Sequence, residues 1–510
     1  MVGPRGAEAQ GLAALWEEGF DGVLVPDVRS PDGHRTGYVL HLARLEEPVG
    51  AVRIAHAAMD PRGRRMPPVP DRFVRLDDDF FSVGQDVSYY ENLRHLPDRE
   101  RAEVLRALRD MASDEAVLTT ALEYDVTRDS LLRYVKLATV RGQMRRLAGG
   151  GARRQSFGIG YTPPGRDGTN PPRFTFAAVP GSQPPTNIHA LTGRNGVGKS
   201  FVLSRLARAV AADEPDPARF GLVTEEGRQG RSFANLVMVS FSAFDGFPLL
   251  HGDAMFDTSY VGLHVPGSAP PRFKTPNQLR RDFTNAVRAC MTRERTPRWI
   301  DAMRTLDYNG GGLLEDGWLD AFESTPTVAG QIRKARALFG KLSAGHRIVI
   351  LTVTRLIENV DERTLVIIDE PETHLHPPLL AAFMRTVSAL LADRNGLAIV
   401  ATHSPVVTQE LPARCVWKLQ RHGDHLRARP PGIETWGENV GVLTHEVFTL
   451  EVTESGFLKD LRTLVNQEMT YDQVLARYNH RMGSEARVAL SALIAVRDGE
   501  TRHEGPRDAP

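Results

Sequence analysis

The chain has 510 residues, enough for two to four domains and at least one large core. Lys plus Arg balance Asp plus Glu at 63 each, so no global field draws the molecule onto nucleic acid or an anionic membrane, although a local basic patch is compatible with this balance. The two cysteines, Cys290 and Cys415, exclude a disulfide framework and a CxxC site; each reads as a small buried hydrophobe in a reducing cytoplasm. No run approaches the ~20 apolar residues that span a bilayer, no apolar signal segment opens the sequence, and no fixed-period repeat is present. The expectation is a cytoplasmic protein with no membrane partner.

In chain order, the first elements are short strands, Gly22-Val23-Leu24-Val25 and Gly37-Tyr38-Val39-Leu40, with a turn at Ser30-Pro31-Asp32-Gly33 between them and a third strand at 51–55. Residues 98–148 read as helical. Val104, Leu105, Leu108 and Met111 fall on one face, and a second helix is expected from Asp129 to Leu147, ended by Gly149-Gly150-Gly151. A loop rich in Pro and Gly covers 159–186. From Asn187 the pattern becomes strand, loop, helix. Residues 247–335 read as a mostly helical lobe, α and β segments alternate from 342 to 403, a hairpin follows from Val416 to Pro430, and the tail reads as helices with a disordered, charged end. The expected segments are 1–80, a β-rich lobe; 81–155, a helical insertion; 156–246, a nucleotide-binding core; 247–341, an inserted helical lobe; 342–445, the rest of the core; and 446–510, a helical tail.

Ile188-His189-Ala190-Leu191 is a strand leading into Gly193-Arg194-Asn195-Gly196-Val197-Gly198-Lys199-Ser200, and a helix follows from Lys199 to about Ala212, with Leu203, Leu206 and Val210 as its buried stripe. That setting gives GxxxxGK[ST] its meaning as a phosphate loop. Glycines let the backbone wrap phosphates, and the helix start offers unpaired N–H groups. Lys199 is expected on the β- and γ-phosphates of ATP and Ser200 on Mg²⁺.

Leu365-Val366-Ile367-Ile368 is apolar throughout, as a parallel strand covered on both faces requires, and ends in Asp369-Glu370. Asp369 is placed to hold Mg²⁺ through water, and Glu370 to orient and deprotonate the attacking water. Ser343 is a good N-cap before a helix from Ile348 to about Val360, and with Gly345 it forms a second anion site; one subunit needs only one, so this one faces a partner's nucleotide. Read alone it is a structural cap. His403 follows another buried strand, 397–401, where an imidazole can hydrogen-bond a γ-phosphate.

Together these residues resemble the ABC-type ATPase head shared by the structural-maintenance-of-chromosomes, RecF, RecN and overcoming-lysogenisation-defect (OLD) proteins. Walker A is GRNGVGKS at 193–200, the LSGGQ-like signature is LSAGH at 342–346, Walker B is TLVIIDEPETHLHP at 364–377, and His403 is the switch histidine. The resemblance implies an α/β P-loop NTPase: a mixed sheet flanked by helices, an antiparallel β lobe that the strands near 22–80 complete, and an inserted helical lobe. It implies two heads sandwiching two ATPs, with Ser343 and Gly345 of one facing Lys199 of the other, and places 372–376 near the seam. That reading of His374 and His376 is preferred to a metal site. Transporter subunits favour Ser-Ala-Leu-Asp after the glutamate. Ala344 and His346 depart from the signature, and the expected Q-loop, Val239-Ser240-Phe241-Ser242-Ala243-Phe244, lacks its glutamine, with Ser240 and Ser242 as weak substitutes.

No sustained heptads separate Ser200 from Leu342, which excludes a long coiled-coil arm. After His403 stand Glu446, Glu451, Glu454 and Asp460 without an Asp-x-Asp pair, so the metal-binding nuclease domain of OLD proteins is not expected. The segment 437–448 is similar to that of Septu-type and retron-associated anti-phage ATPases, which implies a nuclease partner. Two arginine clusters, Arg141, Arg145, Arg146, Arg153 and Arg154, and Arg280, Arg281, Arg288, Arg293, Arg295 and Arg298, read either as contacts to DNA or RNA phosphates or as solvated helix ends. Tyr89-Tyr90 reads as core or interface. The function expected is a homodimerising ATPase that gates a nuclease; the alternative is a RecF-like DNA-binding repair ATPase.

Overall fold

A computed structural model describes residues 11–27, 35–59, 66–151, 156–165, 171–212, 216–225, 233–241, 256–265, 268, 272–292, 295–308, 313–423, 425–446 and 456–503. The first four strands, β1 (Gly22–Pro26), β2 (Gly37–Leu42), β3 (Gly50–His56) and β4 (Phe80–Gly84), form an antiparallel sheet in chain order. Along β2, Tyr38, Leu40 and Leu42 are buried and their neighbours are not, the period of a strand with one covered face. The cover is the helices Val87–Leu93, Asp98–Ala107 and Glu115–Ala121 and the helical run 137–148; Leu40, Ile54, Phe81, Tyr90, Leu105, Leu118 and Leu147 share one core.

This corrects two expectations. The boundary at 80 falls inside a single hydrophobic core, so the early strands and the helices after them are one unit rather than a lobe and an insertion. The helix expected from Asp129 to Leu147 is broken, with a π turn at Thr127–Leu131 and a fresh start at Leu137. Within this unit Tyr89 and Tyr90 are core residues. Tyr90 donates to Asp110 Oδ2 at 2.8 Å and accepts from Gly84 N–H at 3.0 Å.

The antiparallel lobe beside the nucleotide core is built instead from β5 (Phe157–Thr162), β6 (Phe174–Ala178) and β8 (Leu222–Glu225), in the order β6-β5-β8. The central sheet has seven strands: β7 (Ile188–Thr192), β9 (Asn235–Ser240), β10 (Asp257–Gly262), β11 (Thr364–Asp369), β12 (Leu397–Thr402), β13 (Val416–His422) and β14 (His425–Arg429). Their order is β10-β9-β11-β12-β7-β13-β14, parallel except for the β13–β14 hairpin. Both faces are covered, which is why β11 and β12 are buried at every position. Tyr161, Phe174 and Phe176 of the lobe, with Leu203 and Leu206 of the helix Lys199–Ala211, cover one face. The helices Ala344–Asn359 and Pro377–Asp393 and the inserted lobe cover the other.

The inserted lobe consists of helices Pro276–Cys290, Arg295–Leu306, Trp318–Glu323 and Val328–Lys341, around Trp299, Phe283 and Phe322. It begins later than expected, because 257–262 pairs with β9 as the edge strand of the central sheet. Among the described residues it carries no coiled-coil arm. Cys290 and Cys415 are buried free thiols, each pushed up to about 12 by burial. The tail helices Gly456–Asn466, Tyr471–Arg477 and Ser484–His503 pack around Leu461, Leu464, Val474 and Leu490. The charged end expected after them lies outside the described residues. No described helix is long and apolar enough to cross a membrane.

Candidate functional site

Strand register lines up the chemistry. Thr192, the last residue of β7, pairs with Thr402 of β12, and Ala401 pairs with Asp369 of β11. The phosphate loop, the switch loop and the acidic pair therefore leave the carboxyl ends of three adjacent parallel strands, where open α/β sheets bind ligands. With strands spaced by about 4.8 Å, the ends of β7 and β11 stand roughly 10 Å apart.

Within the phosphate loop Gly193, Gly196 and Gly198 have φ of 146°, 75° and 110°, backbone that L side chains rarely adopt. A Cβ on Gly193 would also lie 2.5 Å from the Leu419 carbonyl oxygen, so β13 forbids a side chain there. Arg194, Asn195 and Val197 complete the loop, with Val197 turned into the core. Lys199 is buried and its Nζ donates to the carbonyls of Gly193 at 3.0 Å and Arg194 at 3.3 Å, holding the ammonium inside the loop. Asp369 is buried at the end of β11, and Ser200 lies in the first turn of the helix. A hydroxyl and a carboxylate are hard oxygen donors that suit Mg²⁺.

Glu370 adopts φ 46° and ψ 61°, the left-handed region, and its N–H donates to Ala401 O at 2.9 Å. Such strain persists only where the surroundings hold it. His403 brings its Nδ1 to 3.8 Å from Glu370 Oε1 and 3.1 Å from Glu372 Oε1. Glu372 drew no catalytic reading from the sequence. The signal was its place two residues past Glu370, but nothing local shows that its carboxylate reaches the switch loop.

The signature residues lie against the segment that follows Glu370. Ser343 caps its helix by accepting from His346 N–H at 3.4 Å, and its Oγ lies 3.0 Å from His346 Nδ1. A Cβ on Gly345 would meet the His374 carbonyl oxygen at 2.7 Å, and the rings of His346 and His376 meet edge to face at 6.1 Å. His376 Nδ1 in turn accepts from Leu379 N–H at 3.2 Å, capping the helix Pro377–Asp393. LSAGH and ETHLH are thus one continuous surface of a single chain. Of the expected Q-loop, Ser240 is buried at the end of β9, its carbonyl accepting from Tyr260 Oη at 3.3 Å; Ser242, Ala243 and Phe244 lie outside the described residues.

Three arginines of the first cluster are paired within the protein. Arg145 and Arg141 pair with Glu115, and Arg146 pairs with buried Glu362 at 2.9 Å, which also accepts from Asn395. Arg153 and Arg154 lie outside the described residues. In the second cluster Arg298 pairs with Asp86 and Asp393, and Arg295 bonds the Ala289 carbonyl. Arg280, Arg281 and Arg288 are exposed on one helix, and Arg293 lies outside the described residues.

Residues 329–408 match a family model described as AAA domain, putative AbiEii toxin, Type IV TA system. That stretch holds the signature, Walker B and His403 but not the phosphate loop. Among solved structures, a nucleotide-free ATP-binding cassette from an ABC transporter is 15% identical, with 49% of this chain and 81% of that chain covered and a TM-score of 0.23. UvrA2 from Deinococcus radiodurans is 16% identical over 52% of this chain and 35% of that chain, with a TM-score of 0.28. Protein ea59 of Escherichia phage lambda is 36% identical over 471 residues, which span 88% of this chain and 90% of the relative. Identity sustained over that length embraces the N-terminal unit and the nucleotide core alike, and the chain accordingly belongs to the family of the lambda protein ea59.

Proposed function

We propose that the protein hydrolyses ATP, closes as a homodimer around it, and uses that cycle to regulate a partner effector. The observation that carries this reading is the convergence of Lys199, Asp369, Glu370 and His403 at the carboxyl ends of β7, β11 and β12. In this mechanism the loop N–H groups and Lys199 bind the β- and γ-phosphates. Mg²⁺, held by Ser200 and Asp369, supplies charge screening on the phosphates when bound. Glu370 takes the proton of the attacking water, and His403 holds the γ-phosphate. Ser343 and Gly345 meet the nucleotide of a second copy. Their position beside 372–376 supports that role, because closure at the signature then presses on the turn that carries Glu370.

The partner we favour is a nuclease in phage defence. The sequence likeness of 437–448 to ATPases of that setting supports it, as does a relative carried by a phage. Purification of the tagged protein from its host with ATP present, followed by mass spectrometry, tests it. A stoichiometric nuclease is the expected result, and recovery of repair proteins or DNA alone overturns it. The second reading, a DNA-binding repair ATPase, is favoured by exposed Arg280, Arg281 and Arg288 on one helix. It requires DNA-stimulated hydrolysis that falls steeply with salt.

A further inference from the structure

Glu372 lies two residues past Glu370 in the short turn Pro371–His374, and its side chain is only 9% exposed. Its Oε1 accepts from Thr402 Oγ1 at 2.8 Å and from His403 backbone N–H at 2.7 Å, and it faces His403 Nδ1 at 3.1 Å. Three groups of the switch loop thus converge on one oxygen carried by the turn of the catalytic glutamate. Oε2 is buried with no hydrogen-bond partner among the described residues. Anchoring the loop backbone needs only the first two bonds. The third contact is a 3.1 Å approach of the ring nitrogen to the carboxylate rather than a further loop anchor, and a carboxylate beside a ring nitrogen favours a proton on it.

We propose that Glu372 is a positioning residue for hydrolysis, holding His403 as its Nδ1–H form and keeping the imidazole away from Glu370. Two carboxylates face one ring nitrogen, Glu372 at 3.1 Å and Glu370 at 3.8 Å. While Glu372 holds it, the Glu370 carboxylate stays available to the attacking water, and Nε2 is the ring edge left for phosphate. Removing Glu372 lets the imidazole turn to Glu370 and occupy the general base. The proposal rests on the ATPase reading above and adds a residue that acts through His403.

The test compares Glu372→Ala, Glu372→Gln, His403→Ala and the His403→Ala/Glu372→Ala double variant. Glu372→Ala is expected to lower kcat by about 10–100-fold, the usual effect of losing an orienting carboxylate, with KM and the affinity for a fluorescent ATP analogue nearly unchanged. Glu372→Gln keeps an acceptor at Oε1 and is expected to recover most of the rate. In the His403→Ala background Glu372→Ala is expected to add less than about twofold, because residues acting as a unit are non-additive. Equal rate losses in both backgrounds, or a loss confined to binding, overturn the proposal. Absence of Glu370-dependent hydrolysis in the unmodified protein overturns the ATPase reading instead. Nitrogen-15 spectra of histidine-labelled protein, assigned with His403→Ala, then decide the positioning claim by themselves: the Nδ1–H form of His403 must be present in the unmodified protein and lost in Glu372→Ala.

Discussion

Lys199 and Glu370 illustrate how differently two residues of one site are held. The Lys199 ammonium is gripped by two carbonyls of its own loop, so the loop shape and the charge are a single object. Lys199→Ala removes the charge proposed to meet the phosphates. Titration calorimetry with ATP is expected to show at least a ~10–100-fold loss of affinity, the scale of one charged hydrogen bond of roughly 1.5–3 kcal/mol. Retained tight binding would overturn the phosphate-loop assignment. Glu370 sits in left-handed backbone, and the role proposed for it falls on its carboxylate. Glu370→Gln keeps the shape and removes the base, so hydrolysis is expected to fall by about 10²–10⁴-fold with ATP still bound.

At the scale of elements, glycine at 345 is fixed by the close approach of the signature turn to the His374 carbonyl. Gly345→Val forces the two segments apart. It is expected to abolish ATP-dependent dimerisation in light scattering while calorimetry shows ATP binding by the monomer unchanged. In the N-terminal unit, burial raises Asp110 from 3.8 to about 7, against the bonds from Tyr90, Ser113 and Ala112 that lower it. A carboxyl raised on folding favours the native state when protonated. Its contribution is therefore fully present below pH 3.8 and lost as the pH rises through about 7. Comparing urea midpoints of the unmodified protein and Asp110→Asn at pH 5 and pH 8 checks this. The unmodified protein should lose stability relative to the variant across that interval, by an amount on the order of a few kcal/mol. A difference independent of pH would refute it.

For the whole molecule, the junction between the N-terminal unit and the nucleotide core is polar. Arg146 meets Glu362, which also accepts from Asn395; Lys136 meets Asp257 and Asp361, and Arg298 and Arg394 meet Asp86. These residues flank the amino ends of β10, β11 and β12, the edge of the sheet opposite the phosphate loop. Among the described residues, routes from the N-terminal unit toward the nucleotide run through the sheet, the inserted lobe and the helix Ala344–Asn359, whose last carbonyl accepts from Lys136. Glu362→Ala removes a carboxylate, only 2% exposed, from the Arg146 guanidinium and from Asn395, and a loss of stability on the order of a few kcal/mol is expected in chemical denaturation, with the nucleotide site intact. Assembly is a separate question, read by the Glu370→Gln variant with ATP and Mg²⁺. A dimer in light scattering is expected, and a monomer at saturating nucleotide sinks the sandwich.

The sequence by itself determined the nucleotide core. Gly193, Gly196 and Gly198, the apolar runs before Asp369 and His403, and the N-cap Ser343 are local features, because backbone conformation, burial on both faces and capping each leave a signature within a few residues. Tertiary structure decided what depends on partners distant in the chain. Residues 22–84 could equally have paired with the head. They close instead on the helices that follow them, because Ile54, Phe81 and Leu118 share one core. The edge strand β10 was hidden in a stretch rich in Pro and Gly until β9 offered it a parallel neighbour. Arginines at 141, 145 and 146 look like a free basic patch until Glu115 and Glu362 come to meet them. Glu372 became legible only when β11 and β12 were seen to be adjacent, since its hold on His403 spans 31 residues of sequence and one strand spacing in space.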